Sequence, residues 1–493
     1  MAKRASVLDL AVPPRRTGET AYRWLYGSLR SAILKGHLVP GGRLPATRDL
    51  ARQYALARGT VVSAFEQLKS EGYIEGSVGS GTYVSRVLPE QWLQVSSDRQ
   101  TVRAPRRVRK PSLSAYGQRV QAFPGYEDRP LRAFRANLPA LDLFPIALWA
   151  KIANRSLRRA PVRQLMGCDA LGYLPLRKAV AEYLNTARGV KCAAGQVAIV
   201  SGVQEALDLT ARLLLNPGDR VCVESPGYIG AHLVFRACGA RLSAVAMDRE
   251  GARIKRLPAR GVRLIYVTPG HQFPLGTTMS LGRRMELLGW ARRSGAVIFE
   301  DDYDSEFRYS GRPIPAMQGL GDAGLVLYAG SFSKVLFPAL RLGYVVLPDT
   351  LVERVAALKS ITIRHCPVLE QAMLAEFITE GHFARHVRRM REVYAERLSV
   401  LLEEGRRELR GVLELSEVEA GLQTVGWLHG VSADAAVKAA HARGVDVTSL
   451  ASYGGRGLNG LQLGFAAVRP GDIRCGVREL AIVLEAARRS AIA

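Results

Sequence analysis

The sequence predicts an α+β chain of several domains. A small three-helix unit with a β-hairpin comes first. A large α/β unit on a mostly parallel sheet follows and closes in a smaller C-terminal α+β subdomain. Three observations predict this. The chain has 493 residues, too many for one ordinary domain of roughly 150. Residues 18–85 read as three helices and a hairpin, whereas residues 133–493 alternate apolar strand-like runs with helical patterns. Between them, residues 86–132 set Arg99, Arg103, Arg106, Arg107, Arg109 and Lys110 among Pro, Ser and Val without a period.

Composition narrows the classes. Hydrophobic residues make up 48%, so large cores are available and global disorder is excluded. Lys and Arg number 69 against 44 Asp and Glu, a formal net charge of +25. Such a balance suggests a polyanionic partner, most simply nucleic acid, or a proteome rich in arginine. The six cysteines have neither metal-ligand spacing nor the look of a disulfide framework, so no metal is expected and a reducing cytoplasm fits. MAKRASVLDLAVPP lacks the apolar core of a signal peptide, and no run is long and apolar enough to span a bilayer.

In the first unit, Tyr22, Leu25, Tyr26, Leu29 and Ile33 recur at helical spacing until Gly36. Pro40-Gly41-Gly42 makes a turn. A second helix starts near Thr47 and turns Leu50 and Ala51 inward. A third runs from about Arg58 to Glu71, with Val61, Ala64, Phe65 and Leu68 on one face and Gly72 as its stop. Tyr73-Ile74 and Thr82-Tyr83-Val84 read as strands joined by EGSVGSG. This order is the winged helix-turn-helix layout, and it places residues 58–64 in the major groove of double-stranded DNA. Arg58, Thr60 and Ser63 point outward, and Arg48 leads the preceding helix. At the hairpin tip, Gly79-Ser80-Gly81 lets backbone amides approach a phosphate. Residues 86–132 are then a linker, either a solvated tether or a basic strap adding sequence-independent DNA affinity.

In the large unit, strands are expected at 197–201, 219–224, 241–247, 262–268, 296–300, 325–330 and 343–348, with helices such as 203–215 and 281–293 between them. Ligands of such sheets collect beyond the strands' carboxyl ends. There the sequence sets Gly202, Val203 and Gln204 at a helix start, Tyr228, Asp301 and Tyr303, then Ser331, Ser333 and Lys334. These residues complement pyridoxal 5'-phosphate. Its aldehyde needs an amine for a Schiff base, which is Lys334. Its ring nitrogen needs a carboxylate, Asp301, and its ring an aromatic face, Tyr228. Its phosphate needs hydroxyls, amides and a guanidinium, here Ser331, the 202–204 turn and Arg341.

The motifs extend the reading. LPATRDLARQYALARGTVVSAFEQLKSEGYIEGSVGSGTYV resembles the GntR family of bacterial regulators, which implies DNA contacts at Arg43, Arg48, Arg58 and Thr60, with a wing near Gly79. One departure is Ala57, where a Ser or Thr often caps the recognition helix. FRANLPALDLFPIALW, GYLPLRKAVAEYL, VTPGHQFPLGTTMS, EDDYDSEFRYSGRPIPAMQGL and GSFSKVLFPALRLGY resemble fold type I aminotransferases. The whole chain is similar to the MocR subfamily of GntR regulators.

The resemblance implies Lys334 as the Schiff-base lysine, Asp301 at the ring nitrogen, Tyr303 near the phenolic oxygen and Tyr228 stacked on the ring. It implies Ser331, Ser333, Arg341 and the 202–204 amides around the phosphate. It also implies a head-to-tail, domain-swapped homodimer. The expected function is a DNA-binding transcriptional regulator that senses pyridoxal phosphate or a small amine or amino acid. A working aminotransferase with a DNA-binding appendage is the alternative.

Three departures from the enzymes' pattern stand out, and the first two argue against efficient turnover. Phe273 replaces the asparagine of the enzymes' Asn-Pro-Thr-Gly turn, with His271 and Gln272 as nearby substitutes. Leu461 and Gln462 occupy the neighbourhood of the arginine that clamps a substrate carboxylate, with Arg456 the nearest candidate. Met166-Gly167-Cys168-Asp169 lacks the tyrosine that relatives often extend to the partner's cofactor, and Tyr173 is out of register.

Overall fold

The computed structural model describes residues 13–15, 17–77, 81–89, 111–123, 130–311, 314–321, 324–455 and 457–492. The chain falls into two compact units, Met1–Pro111 and Ser112–Ala493.

In the first unit, α1 (Ala21–Leu34) starts at Thr20, whose hydroxyl accepts from Arg23 N. Helices α2 (Thr47–Gln53) and α3 (Arg58–Ser70) follow, then β1 (Ile74–Ser77) and β2 (Gly81–Val84) as an antiparallel hairpin. Leu25, Leu29 and Ile33 of α1 join Leu50, Val61, Phe65, Leu68, Ile74 and Val84 in one buried cluster. That burial, rather than capping, holds α3 in place, because Ala57 at its N-cap offers no side-chain acceptor. Arg43, Arg48, Arg58 and Ser63 are exposed and Thr60 is half-buried, so the expected reading surface faces outward. Gly79 and the basic residues of the linker between 99 and 110 lie outside the described residues.

The large unit is built on an eight-stranded sheet with the order β3-β10-β9-β8-β7-β4-β5-β6. The strands are β3 (Val197–Val200), β4 (Arg220–Ser225), β5 (Arg241–Asp248), β6 (Gly251–Ala252), β7 (Val262–Val267), β8 (Val297–Asp302), β9 (Val326–Ser331) and β10 (Gly343–Val346). Strands β9, β8, β7, β4 and β5 run parallel, whereas β10 is antiparallel to both neighbours. The connection 332–342 contains only one short 3-10 turn, Pro338–Leu340, and no crossover helix, so the chain returns antiparallel. Gly343 thereby pairs with both Ser331 and Val200. This register brings three sequence-distant pieces, 201–204, 331–334 and 341–343, to one end of the sheet.

A four-stranded antiparallel sheet of β11 (Leu413–Leu415), β12 (Gln423–Leu428), β14 (Gly460–Gly464) and β13 (Thr448–Ser449), in that spatial order, forms the C-terminal subdomain. Its inward apolar residues, such as Leu461 and Leu463, join the same buried cluster as Phe332, Leu374 and Tyr394. The last part of the stretch read as linker docks on this unit. Helix Ala115–Arg119 is capped by Ser114, and Arg119 Nε donates to Ala237 O at 3.1 Å. The ring of Phe123 then lies 6.2 Å from that of Tyr228. Among the described residues no helix is long and apolar enough to cross a membrane.

Candidate functional site

The site grows from the carboxyl end of β8, where Glu300, Asp301 and Asp302 are all buried. Strand alternation sends Asp301 to one face and its two neighbours to the other. Glu300 accepts from the amides of Met317 and Gln318 at 2.9 and 3.1 Å. Asp302 accepts from Arg188 and from Tyr328 Oη, each at 2.6 Å. Burial alone would raise its pKa, but Arg188 and these hydrogen bonds together hold it below the usual carboxylate range. Asp301 keeps one oxygen for something else. Its Oδ2 accepts from Tyr266 Oη at 2.6 Å, while its Oδ1 is buried without a partner. Burial chiefly pushes its carboxyl up to about 7, with neighbouring carboxylates adding to the rise and the Tyr266 bond opposing it.

Lys334 reaches the same space from the β9–β10 connection. Its Nζ donates to the carbonyl of Asn137 at 2.8 Å. Burial lowers its pKa to about 8 and Arg341 adds to the fall, against the pull of Asp304 and Asp301. Asn137 adopts a left-handed backbone, φ 66°, and its amide donates to Gln423 Oε1 at 3.2 Å. Ser331 Oγ accepts from Ser333 N at 3.2 Å, which fixes the start of this connection.

The anion cradle forms where helix Val203–Leu214 begins. Gly202 is its N-cap with φ 130°, and a Cβ there would stand 3.6 Å from the Arg341 guanidinium. Arg341 is itself left-handed, φ 50°, a conformation that costs energy in a non-glycine residue and aims its side chain at that helix start. The amides of Val203 and Gln204 belong to the helix's positive end. Glu205, one turn in, accepts from Ser201 N at 2.6 Å and from the buried Lys359 at 2.5 Å. The Gln204 side chain holds Tyr228, whose Oη donates to Gln204 Oε1 at 3.1 Å.

Around the ring position, Tyr228 lies 6.5 Å from Tyr266, the two planes only 29° apart. Tyr303 Oη sits 3.0 Å from His271 Nδ1, which is 2.9 Å from Asp304 Oδ2. Burial holds the Tyr303 phenol well above its ordinary pKa, Asp304 and Asp301 raise it further, and the nearby Gln423 amide opposes them. Phe273 is buried and meets Tyr228, Tyr303 and Tyr453 edge-on, at 6.0, 6.0 and 5.0 Å. Of the two substitutes read for the missing asparagine, His271 reaches Tyr303. Gln272 instead braces its own turn, donating to Pro226 O and Phe273 O. Arg456 lies outside the described residues.

Every predicted residue of the cofactor set therefore falls on the end of the sheet shared by β3, β4, β8, β9 and β10. Sequence reasoning missed Asn137, Gln423, Tyr453 and the pairing of His271 with Asp304, and it named Gln462 only for its place near the enzymes' arginine. The residues present fit pyridoxal 5'-phosphate on two structural grounds. The open Asp301 Oδ1 suits a ring N–H, and the Arg341 guanidinium beside the helix start at Gly202 suits a phosphate.

Fold and site together define a winged-helix DNA reader joined to an aminotransferase-like cofactor domain. Residues 21–84 match the family of bacterial regulatory proteins of gntR type, and residues 149–473 match aminotransferase class I and II. The chain is 40% identical to the probable rhizopine catabolism regulatory protein MocR of Rhizobium meliloti, covering 93% of this chain and 92% of the relative. It is 30% identical to the pyridoxine biosynthesis transcriptional regulator PdxR of Corynebacterium glutamicum, over 92% of this chain and 93% of that one. Among solved structures, the α-aminoadipate aminotransferase LysN of Thermus thermophilus, complexed with N-(5'-phosphopyridoxyl)-L-leucine, superposes with a TM-score of 0.66 at 30% identity. That match covers 72% of this chain and 92% of LysN. The chain belongs to the MocR-type regulators of the gntR family. It is a DNA-binding transcriptional regulator whose cofactor is pyridoxal 5'-phosphate.

The buried carboxyl of Asp301 sets a pH dependence. Its pKa rises from 3.8 to about 7 on folding of the cofactor-free chain. Between those values the folded state holds a proton that the unfolded state has released, so stability falls as pH rises. Glu224, Glu300 and Glu306, each raised to about 7 chiefly by burial, act in the same direction. Asp301→Asn is expected to make the decline shallower, read from urea midpoints of cofactor-free protein between about pH 5 and 7. An unchanged slope would contradict the assignment.

Proposed function

We propose that the chain binds operator DNA as a homodimer and regulates transcription through the occupancy of its cofactor domain. The effector is pyridoxal phosphate itself or a small amine that meets it there. When bound, pyridoxal phosphate supplies an aldehyde that takes up primary amines. Lys334 is the chain's own amine for that aldehyde, and its lowered pKa leaves a usable neutral fraction near pH 7–8. Asp301 Oδ1 holds the proton of the ring nitrogen, and Tyr303 with His271 serves the phenolic oxygen. Tyr228 stacks on the ring. Ser331, Ser333, Arg341 and the amides of 202–204 hold the phosphate. Phe273 fills with apolar surface the place where the enzymes keep a hydrogen-bonding amide, which supports sensing over turnover.

The observation that carries the regulatory reading is the docking of residues 112–123. This segment comes directly from the DNA-reading side of the chain. It ends with Phe123 against Tyr228, the residue assigned to the cofactor ring. Arg119 anchors the same segment to Ala237, at the far end of the helix that Tyr228 caps. A change at the ring therefore reaches a segment that continues covalently toward the DNA reader. The change shifts populations only if the ligand favours one state over another.

Dimerisation is supported by exposed apolar side chains. Val162, Leu165 and Met166 are exposed, as are Ile361 and Ile363. The two groups adjoin, because a Cβ on Gly167 would meet the ring of His365 at 2.8 Å. A contiguous apolar surface of this kind marks an interaction site. A head-to-tail, domain-swapped arrangement in the cytoplasm is the form proposed, giving two readers for one operator.

Three outcomes are expected. Arg58→Ala weakens operator binding by about 1–3 kcal/mol if it reads a base, measured against unrelated DNA as control. An equal loss on every DNA sequence would mark a phosphate contact instead. Sedimentation should give twice the 53.8 kDa chain mass, and a monomer at micromolar concentration would contradict the dimer. Phe123→Ala should retain the visible absorbance of bound cofactor yet lose most of the ligand dependence of DNA affinity. If that dependence persists intact, the proposed route is wrong.

A further inference from the structure

Two buried glutamines border the cofactor site with amide donors that make no hydrogen bond of good geometry. Gln423 on β12 and Gln462 on β14 are 1% and 0% exposed. Each has its oxygen engaged: Gln423 Oε1 accepts from Asn137 N at 3.2 Å, and Gln462 Oε1 accepts from Tyr453 Oη at 2.7 Å. Fixing the oxygen aims each Nε2 away from that partner; the buried Gln462 Nε2 has no hydrogen bond, and the buried Gln423 Nε2 has only the Tyr303 phenol near it, without hydrogen-bond geometry. Burying an amide donor unpaired is costly, and two together in one place point to a ligand that completes them.

The sheet register sets the pair side by side. Gln423 lies opposite Gly464 and Val425 opposite Gln462, so the glutamines are diagonal neighbours on one face. That face meets the cofactor site. Asn137, held by Gln423, gives its carbonyl to Lys334, and Tyr453, held by Gln462, packs on Phe273. Leu461, on the opposite face, belongs to the apolar core. Of the two residues in the neighbourhood of the enzymes' carboxylate-clamping arginine, the one that faces the site is therefore an uncharged amide.

We propose that the effector is a primary amine whose second recognised group is an uncharged acceptor, a hydroxyl, ether or amide oxygen, and that Gln462 and Gln423 donate to it. The inference rests on the sensor reading above and names its ligand class. At Gln462 and Gln423 a carboxylate would meet amide donors and not the planar, charged fork that a guanidinium supplies. It would also enter a region that already buries Glu224, Asp301 and Asp304. Amide donors satisfy a neutral oxygen without leaving a charge uncompensated.

The test uses the full chain loaded with pyridoxal phosphate, first reduced with borohydride and peptide-mapped on one portion. Paired probes are then titrated against the rest: ethanolamine against glycine, and 2-aminopropan-1-ol against alanine. The readouts are the cofactor's visible absorbance and operator affinity. The amino alcohols are expected to bind tighter than the matching amino acids by about tenfold or more. Gln462→Met, close in volume, should erase that margin while keeping the absorbance of bound cofactor. Gln462→Arg should turn the preference toward the amino acids. Absence of label at Lys334 would overturn the sensor reading itself. A labelled protein that prefers the amino acids, or answers neither class, overturns this inference alone. So does a Gln462→Met variant with an unchanged margin.

Discussion

The site depends on how one strand end keeps several acids buried. Residues 300, 301, 302 and 304 are all carboxylates, within a fully packed sheet end. Leaving any of them ionised and unpaired there would cost several kcal/mol, so each must be neutral, paired or reserved. Glu300 is tied to two backbone amides, Asp302 to Arg188 and Tyr328, and Asp304 to His271. Asp301, tied to Tyr266 through one oxygen, keeps the other open on the opposite face of the strand from Glu300 and Asp302. The three tied acids make the chain around Asp301 rigid, which gives the open oxygen a fixed direction.

The second constraint is the reversal between β9 and β10. Because the connection is short, β10 must run back antiparallel between β9 and β3. That single topological choice delivers Lys334, Ser331 and Arg341 to the helix start at Gly202. It also requires close backbone approach: a Cβ on Gly343 would come within 3.2 Å of Gly202 Cα and 2.8 Å of Gly330 O. Gly343 thus lets β9, β10 and the helix start crowd together, and Gly330 leaves room for the ring of Tyr344. Left-handed Arg341 and Asn137 add local strain at the residues that aim toward the ligand, the usual place for strain to be retained.

Much of this was legible in the sequence because it lies on strand ends within short motifs. Lys334, Asp301, Tyr228 and Arg341 could be assigned from strand-loop punctuation and chemical complementarity. The antiparallel return of residues 343–346 was not legible, since an apolar run carries no direction. Gln423 was hidden for a different reason, as a polar residue in a short strand of the C-terminal sheet, and Gln462, named for its place near the enzymes' arginine, gave no sign of its neighbour. Only the β12–β14 register shows that they share a face. The His271–Asp304 pair was partly signalled, because His271 stood out beside the altered Phe273 turn, but its partner comes from the β8 end 33 residues on. Residues 112–123 read as part of a featureless linker, and the Ser114 cap of their short helix escaped notice for lack of an apolar period.

The two units combine a DNA reader whose polar residues face outward with a cofactor domain whose catalytic turn has been made apolar. What we propose joins them functionally is a change in DNA affinity that follows occupancy of the Lys334 site. The most direct measurement is operator affinity of the full chain with that site emptied and then refilled, with occupancy read by absorbance on the same samples. The account predicts that affinity tracks occupancy and changes by about fivefold or more between the two states. Equal affinity at zero and full occupancy, without and with amine ligands, would contradict it.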